Sequence, residues 1–116
     1  MGQYFLLVNL TKGEYVIPDL MKLGEIMIAK EFPIGNILLY LIMTKNTDGT
    51  FLDDLKGQLK HLGRWSGDRV VLLGDYAEVY DIIEGFITWD TIEKKFKNIT
   101  EEVRKEWEII KQYLEG

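Results

Sequence analysis

The stretch Gly63-Arg64-Trp65-Ser66-Gly67-Asp68-Arg69 feeds an apolar run, Val70-Val71-Leu72-Leu73, which a second Gly-Asp pair, Gly74-Asp75, closes just before Tyr76. Two arginines beside an indole have the chemistry to hold a phosphate bidentately or to stack a nucleobase. The competing reading is structural: an Arg–Asp pair fixes the turn and Trp65 lids the core. Beyond the apolar run, Asp75 and Tyr76, followed by Glu78, make a second polar group. Ligands favour the carboxyl ends of strands in open parallel sheets. The candidate binding residues are therefore Arg64, Trp65, Asp68, Arg69, Asp75 and Tyr76. Asp68 and Asp75 are seven residues apart, or roughly 23 Å along a strand at ~3.3 Å per residue. The carboxylates of a glycosidase lie within about 10 Å of each other, so these two cannot serve one acid–base site.

Other chemistries are weighed on the same terms. A Gly-Asp after an apolar strand faintly resembles a metallophosphoesterase motif, but two-metal sites need several His and Asp ligands. His61 is the only histidine, and an aspartate capping a turn explains Asp75 as well. Asn46-Thr47-Asp48-Gly49-Thr50 resembles part of a calcium loop. Aligning Gly49 with the loop glycine puts Thr44 first and Leu55 last, where acidic ligands are required. Ser66 has no Gly-x-Ser-x-Gly context. Two basic clusters remain: Lys60 with Arg64 and Arg69, and Lys94, Lys95 and Lys97. Either could contact nucleic-acid phosphates; lysines around Phe96 also read as a solvated helix face. No catalytic residue, metal ligand or cofactor is assigned.

The composition narrows the classes. A chain of 116 residues is expected to form one domain, residues 1–116. Its 47% hydrophobic content supports a core without staples, and there is no cysteine. That excludes a disulfide framework, a thiolate zinc site and a cysteine nucleophile. A net charge of −5 opposes whole-molecule attraction to nucleic acid or anionic lipid. The longest apolar run, Ile37 to Met43, is far short of the ~18–20 residues that span a bilayer. No secretory signal pattern precedes the first strand. The expectation is a soluble cytoplasmic protein, with a Lys-, Glu- and Ile-rich, Cys-free composition of thermophilic character.

The elements that must position the candidate residues follow from periodicity. Gln3 to Leu10 reads as a strand, Thr11 to Glu14 as a hairpin loop turning at Gly13, and Tyr15 to Ile17 as the return strand, stopped by Pro18. Asp19 to Phe32 is assigned to a helix. Ile34 to Thr44 follows Pro33, is apolar nearly all round, and is expected to be a buried helix. Thr50 and Asp53 form a capping pair for a short helix carrying Leu52, Leu55, Leu59 and Leu62. Arg69 to Leu73 is apolar at consecutive positions, hence covered on both faces and placed centrally in the sheet. Val79 to Ile87 offers a fourth strand. Asp90 and Glu93 resemble a capping box, and Thr100 is a second cap. From Trp89 to Leu114, apolar residues recur every three or four positions, which predicts two helices or one with a break near Asn98. The fold class is α+β: a small, mainly antiparallel sheet, made of the N-terminal hairpin plus the central strand 69–73, packed against helices that include a C-terminal helical segment.

Two stretches carry a resemblance. Met1-Gly2-Gln3-Tyr4-Phe5, continuing as Val8-Asn9-Leu10-Thr11-Lys12-Gly13-Glu14-Tyr15-Val16, is one. Gly63-Arg64-Trp65-Ser66-Gly67-Asp68-Arg69-Val70 with Gly74-Asp75-Tyr76-Ala77 is the other. Together they span about a quarter of the chain and resemble a family of small uncharacterised proteins spread through prokaryotes and some fungi. Such relatives often have a longer, histidine-richer middle, so a metal-dependent role does not carry over to a chain with one histidine. The resemblance implies a shared fold unit and no activity. On the residues alone, the leading expectation is a non-enzymatic binding or interaction module, working as a homodimer and open to a further protein partner. The alternatives are a nucleic-acid-binding protein of archaeal or viral setting and a small enzyme acting on a phosphorylated or nucleotide ligand.

Overall fold

A computed structural model describes residues 3–19, 21–55, 57–76 and 89–116. It is an α+β fold: a four-stranded mixed sheet, mostly antiparallel, with helices on both faces. β1 (Phe5–Asn9) and β2 (Glu14–Val16) form the expected hairpin, in register from Leu7 opposite Val16 to Asn9 opposite Glu14. The loop turns at Gly13, where φ is +70°. β3 (Val70–Gly74) runs antiparallel to β1, from Phe5 opposite Gly74 to Asn9 opposite Val70. The short β4 (Lys97–Asn98) lies parallel to β2.

Strand order is β3-β1-β2-β4. Among the described residues β3 thus sits at the end of the sheet, and β1 and β2 hold the interior places. The consecutive apolar residues of β3 correspond to two covered faces, and among the described residues to one flanking strand, β1. Val70 and Leu72 pack on one core, Val71 and Leu73 on the other. The fourth strand expected at Val79 to Ile87 lies outside the described residues.

The larger core sits between Leu7 and Val16 of the sheet, α2 (Ile34–Ile42) and α4 (Thr100–Glu115), with Phe32 and Trp65 buried in it. The smaller core, on the opposite face, joins Leu6, Val8, Tyr15 and Leu73 to Ile92 of α3 (Trp89–Lys95). The period-2 alternation of strand side chains produces both.

Several boundaries differ from the sequence expectation. The helix assigned to Asp19–Phe32 shrinks to α1 (Leu23–Ile28). The chain before it is held extended, with Phe5 N–H donating to Met21 O and Tyr4 bridging Lys22. The helix expected after Thr50 is only a 3₁₀ turn, Phe51–Asp54, continued by i→i+3 bonds at Leu55, Gln58, Leu62, Arg64 and Ser66. All four leucines are buried nonetheless, because turns of three residues also bring every third or fourth side chain to one side. Thr50 does not cap; its hydroxyl donates to Thr47 O at 2.7 Å. The break near Asn98 is real, and β4 occupies it. Thr100 is the first residue of α4 rather than its cap, and Asn98 Oδ1 accepts the Thr100 amide instead. The capping box expected at Asp90 and Glu93 falls where α3 (Trp89–Lys95) adjoins residues outside the described ones. No helix among the described residues is long and apolar enough to cross a membrane.

Candidate functional site

The Gly63–Arg69 segment is drawn against the C-terminal end of α2. The Gly63 amide donates to Tyr40 O (3.0 Å) and the Trp65 amide to Leu41 O (2.9 Å). Gly63 takes φ +66°, and a β-carbon there would lie 2.8 Å from Met43 O. Only glycine permits that approach. The segment thereby places Trp65 and Arg64 over the start of β2.

Both side chains converge on one carboxylate, Glu14, which is only 3% exposed. Arg64 Nε lies 3.0 Å from each Glu14 oxygen, and its terminal nitrogen bonds Oε2. Trp65 Nε1 donates to Oε1 at 2.8 Å. Burial pushes the Glu14 carboxyl up. The Arg64 and Trp65 donors outweigh it, so the group sits below the ordinary carboxylate range. The expected Arg–Asp pairing within the turn is therefore replaced by a long-range pair. Asp68 instead accepts from Asn9 Nδ2 (2.8 Å) and Lys12 Nζ (2.6 Å), and these bonds lower its pKa. Asn9, fully buried, also accepts the Lys12 amide at 2.7 Å and so ties the hairpin loop to the turn.

A second carboxylate, Glu106 of α4, organises the segment from the other side. His61 Nδ1 lies 2.5 Å from Oε2, the His61 amide donates to Oε1 (2.9 Å), and the Tyr40 hydroxyl donates to Oε1 as well. The outer nitrogen of the ring, Nε2, is 3.1 Å from the half-exposed Glu102. The hydrogen bond to Glu106 raises the His61 pKa, aided by both glutamate charges and opposed by burial. Burial pushes Glu106 up, and the bonds from His61 and Tyr40 bring it below its ordinary value. Burial, then the Glu106 bond, hold the Tyr40 hydroxyl protonated far above its usual pKa.

The remaining candidates are scattered. Asp75 lies at the opposite end of β3, where Oδ1 accepts the Tyr4 amide (3.1 Å) and its own amide donates to Tyr4 O (2.9 Å). Tyr76 is exposed beside it. Arg69 engages through its backbone: its amide donates to Thr11 Oγ1 (2.9 Å) and its carbonyl accepts from Leu10 (2.8 Å). The structure thus brings Arg64 and Trp65 together, puts Asp68 nearby on other partners, and leaves Asp75 and Tyr76 at the far end. Of the basic residues, Lys94 pairs with Asp90 (3.0 Å) and Lys97 approaches Glu102 (4.0 Å), while Lys60 and Lys95 are exposed.

Glu14 and Glu106 were not singled out from sequence, although each carried a signal. Glu14 shares a strand face with the core residue Val16, two positions on. Glu106 lies on the buried stripe of α4 between Val103 and Ile110. A carboxylate on a core-facing position needs partners, and both have them. Among the described residues, no buried side-chain polar atom lacks a hydrogen bond, and no three His, Asp or Glu side chains converge as metal ligands would.

The other notable surface is apolar. A groove of about 600 Å³ runs between α2, the 3₁₀ turn and α4, lined by Leu39, Ile42, Phe51, Trp107 and Leu114 among others. No protein-family model, curated protein or solved structure matches this chain at a significant level.

Proposed function

We propose that this protein is a cytoplasmic binding module that acts through an apolar surface rather than by catalysis, and that it works as a homodimer. The observation that carries the reading is the groove between α2 and α4, with Leu39, Ile42, Phe51 and Leu114 left exposed along it. Contiguous apolar surface of this kind marks interaction sites on soluble domains. The polar residues with catalytic potential point the same way: Arg64, Trp65, Asp68, His61 and Asp75 are all engaged in contacts that hold the fold. Membership of the small-protein family whose two motifs the chain carries belongs to this reading, since both motifs lie in those contacts. Light scattering across a tenfold concentration range should give about twice the 13.5 kDa chain mass. A constant monomer mass would remove the homodimer.

The nucleic-acid alternative would rest on Lys60, Arg64, Arg69, Lys94, Lys95 and Lys97. Arg64, Lys94 and Lys97 each have a carboxylate within 4.0 Å. A phosphate would have to compete with that carboxylate, as it would at Arg64 under the phosphoryl-ligand alternative. Short duplex DNA should show no measurable binding at ~150 mM salt, where the Debye length is about 8 Å. A reproducible shift there, abolished by neutralising Lys94, Lys95 and Lys97 and falling steeply with added salt, would put the alternative first.

A further inference from the structure

We infer that the exposed face of α2 is where two copies meet, the two α2 helices crossing at a two-fold axis. The inference rests on the homodimer reading above and adds the place and the mode of contact.

α2 carries no charged residue. A helix apolar all round is ordinarily buried all round, and the sequence reading expected burial here. The structure corrects that expectation. Ile34, Ile37, Tyr40 and Leu41 face the core, while Gly35, Asn36, Leu39 and Ile42 are exposed. Gly35, Leu39 and Ile42 are spaced i, i+4, i+7, so they form one line along the helix.

Gly35 has no explanation inside the monomer. Glycine is among the poorest helix formers. Its backbone here is not in the left-handed region, and an added β-carbon would meet nothing within 4 Å. Neither conformation nor packing within the chain calls for glycine. A close crossing of two helices does, because helix axes approach only where side chains are absent. Next to it, Asn36 offers an amide that both donates and accepts, so it can pair with its own symmetry mate and fix the register, as a single interfacial asparagine does between coiled helices.

The surroundings of α2 fit a second copy. The groove toward α4 lies on one side of the helix; on the other, a groove of about 490 Å³ toward α1 is lined by Leu23, Met27 and Leu38. α2 is a ridge between two apolar troughs. Ridge and trough on one molecule are the requirement for an isologous contact, in which each ridge enters the other's trough.

Area and charge agree. Leu23, Met27, Leu39, Ile42, Phe51 and Leu114 are 38–77% exposed. At on the order of 150 Å² per large side chain, they offer roughly 500 Å². That is more than half of the ~800 Å² each partner gives a standard interface, and half-buried Leu38 and Met43 adjoin them. Two copies of net charge −5 repel, and a charge-free helix is where that repulsion is least. Added salt should therefore tighten the contact by screening, whereas a basic partner would be released by it.

Sedimentation equilibrium of the intact protein tests the inference. The parent should be dimeric and should tighten from 50 to 500 mM NaCl. Leu39→Glu should raise the dissociation constant at least 100-fold. Gly35→Ala should raise it at least tenfold while the melting temperature of the dilute protein holds or rises, since alanine is the better helix former. A fold defect would weaken association and lower the melting temperature together; only an interface role separates the two. If Leu39→Glu does not fold by circular dichroism, Gly35→Ala decides: an unchanged dissociation constant overturns the inference. A dimeric parent with both variants equally dimeric leaves the homodimer standing and removes α2 as its seat. A monomeric parent overturns both.

Discussion

Trp65→Ala should cost about 4 kcal/mol, the usual penalty for deleting a fully buried large aromatic, and lower the melting temperature by on the order of 15 °C. Trp65 is completely buried in the larger core, and its indole N–H is one of the donors on Glu14. Removing the ring therefore does two things: it opens a cavity and it strips a buried carboxylate of a partner. Trp65→Phe separates them. The phenyl ring fills most of the space but donates nothing, so this variant should lose about 1–3 kcal/mol, the cost of an unmet buried acceptor. Chemical denaturation of the three proteins measures both terms. If Trp65→Ala unfolds within a few tenths molar denaturant of the parent, the indole is not the anchor of this segment. If Trp65→Phe is as damaging as alanine, the bond to Glu14 outweighs the packing.

That anchor bears on the reading of the motif. From sequence, Arg64 and Trp65 suited both a ligand clamp and a structural turn. The structure gives them a buried internal acceptor, Glu14, 50 and 51 residues away in the chain. Periodicity exposes which face of a strand is apolar, and so it found the hairpin, the two-faced character of Val70 to Leu73 and the apolar stripe of the last helices. It cannot say which charged residue from a distant element will meet which turn. For the same reason Asp68, expected to pair within its own turn, pairs with Lys12 and Asn9 from the hairpin. Helix length is not legible in sequence where local bonds compete with propensity. The leucines from Leu52 to Leu62 keep a helical spacing, yet backbone turns closing at i+3 carry them. α2 misled in the other direction, because an all-apolar sequence does not state whether a helix is buried by its own chain or by another molecule.

Glu106 sets the second large expected effect, through pH as well as mutation. Removing one member of a buried ion pair typically costs 3–5 kcal/mol, so Glu106→Ala should destabilise by about 4 kcal/mol and leave His61 and Tyr40 without their acceptor. The pair also fixes a direction for pH. The folded state raises the His61 pKa above its ordinary 6.5, so the protein gains stability from protonated His61 that is fully present below about 6.5 and is lost as pH rises through the folded value. The folded state lowers the Glu106 pKa below its ordinary 4.5. That contribution is present above about 4.5 and is lost as pH falls through the folded value. Glu14 adds to the same acid-side loss, its pKa being lowered by Arg64 and Trp65. Unfolding free energy should therefore be largest between the two ordinary values, roughly pH 4.5 to 6.5, and decline on both sides. His61→Asn should flatten the alkaline limb while keeping the acid limb that Glu14 supplies. Glu106→Gln should flatten the alkaline limb too, because the histidine no longer gains from being charged, though Glu102 preserves a remnant through Nε2. Urea titrations at intervals from pH 4 to 9, with the His61 ring followed by NMR, measure the limbs and the titration together. An alkaline limb unchanged in His61→Asn would show that the imidazolium–Glu106 bond does not stabilise the fold.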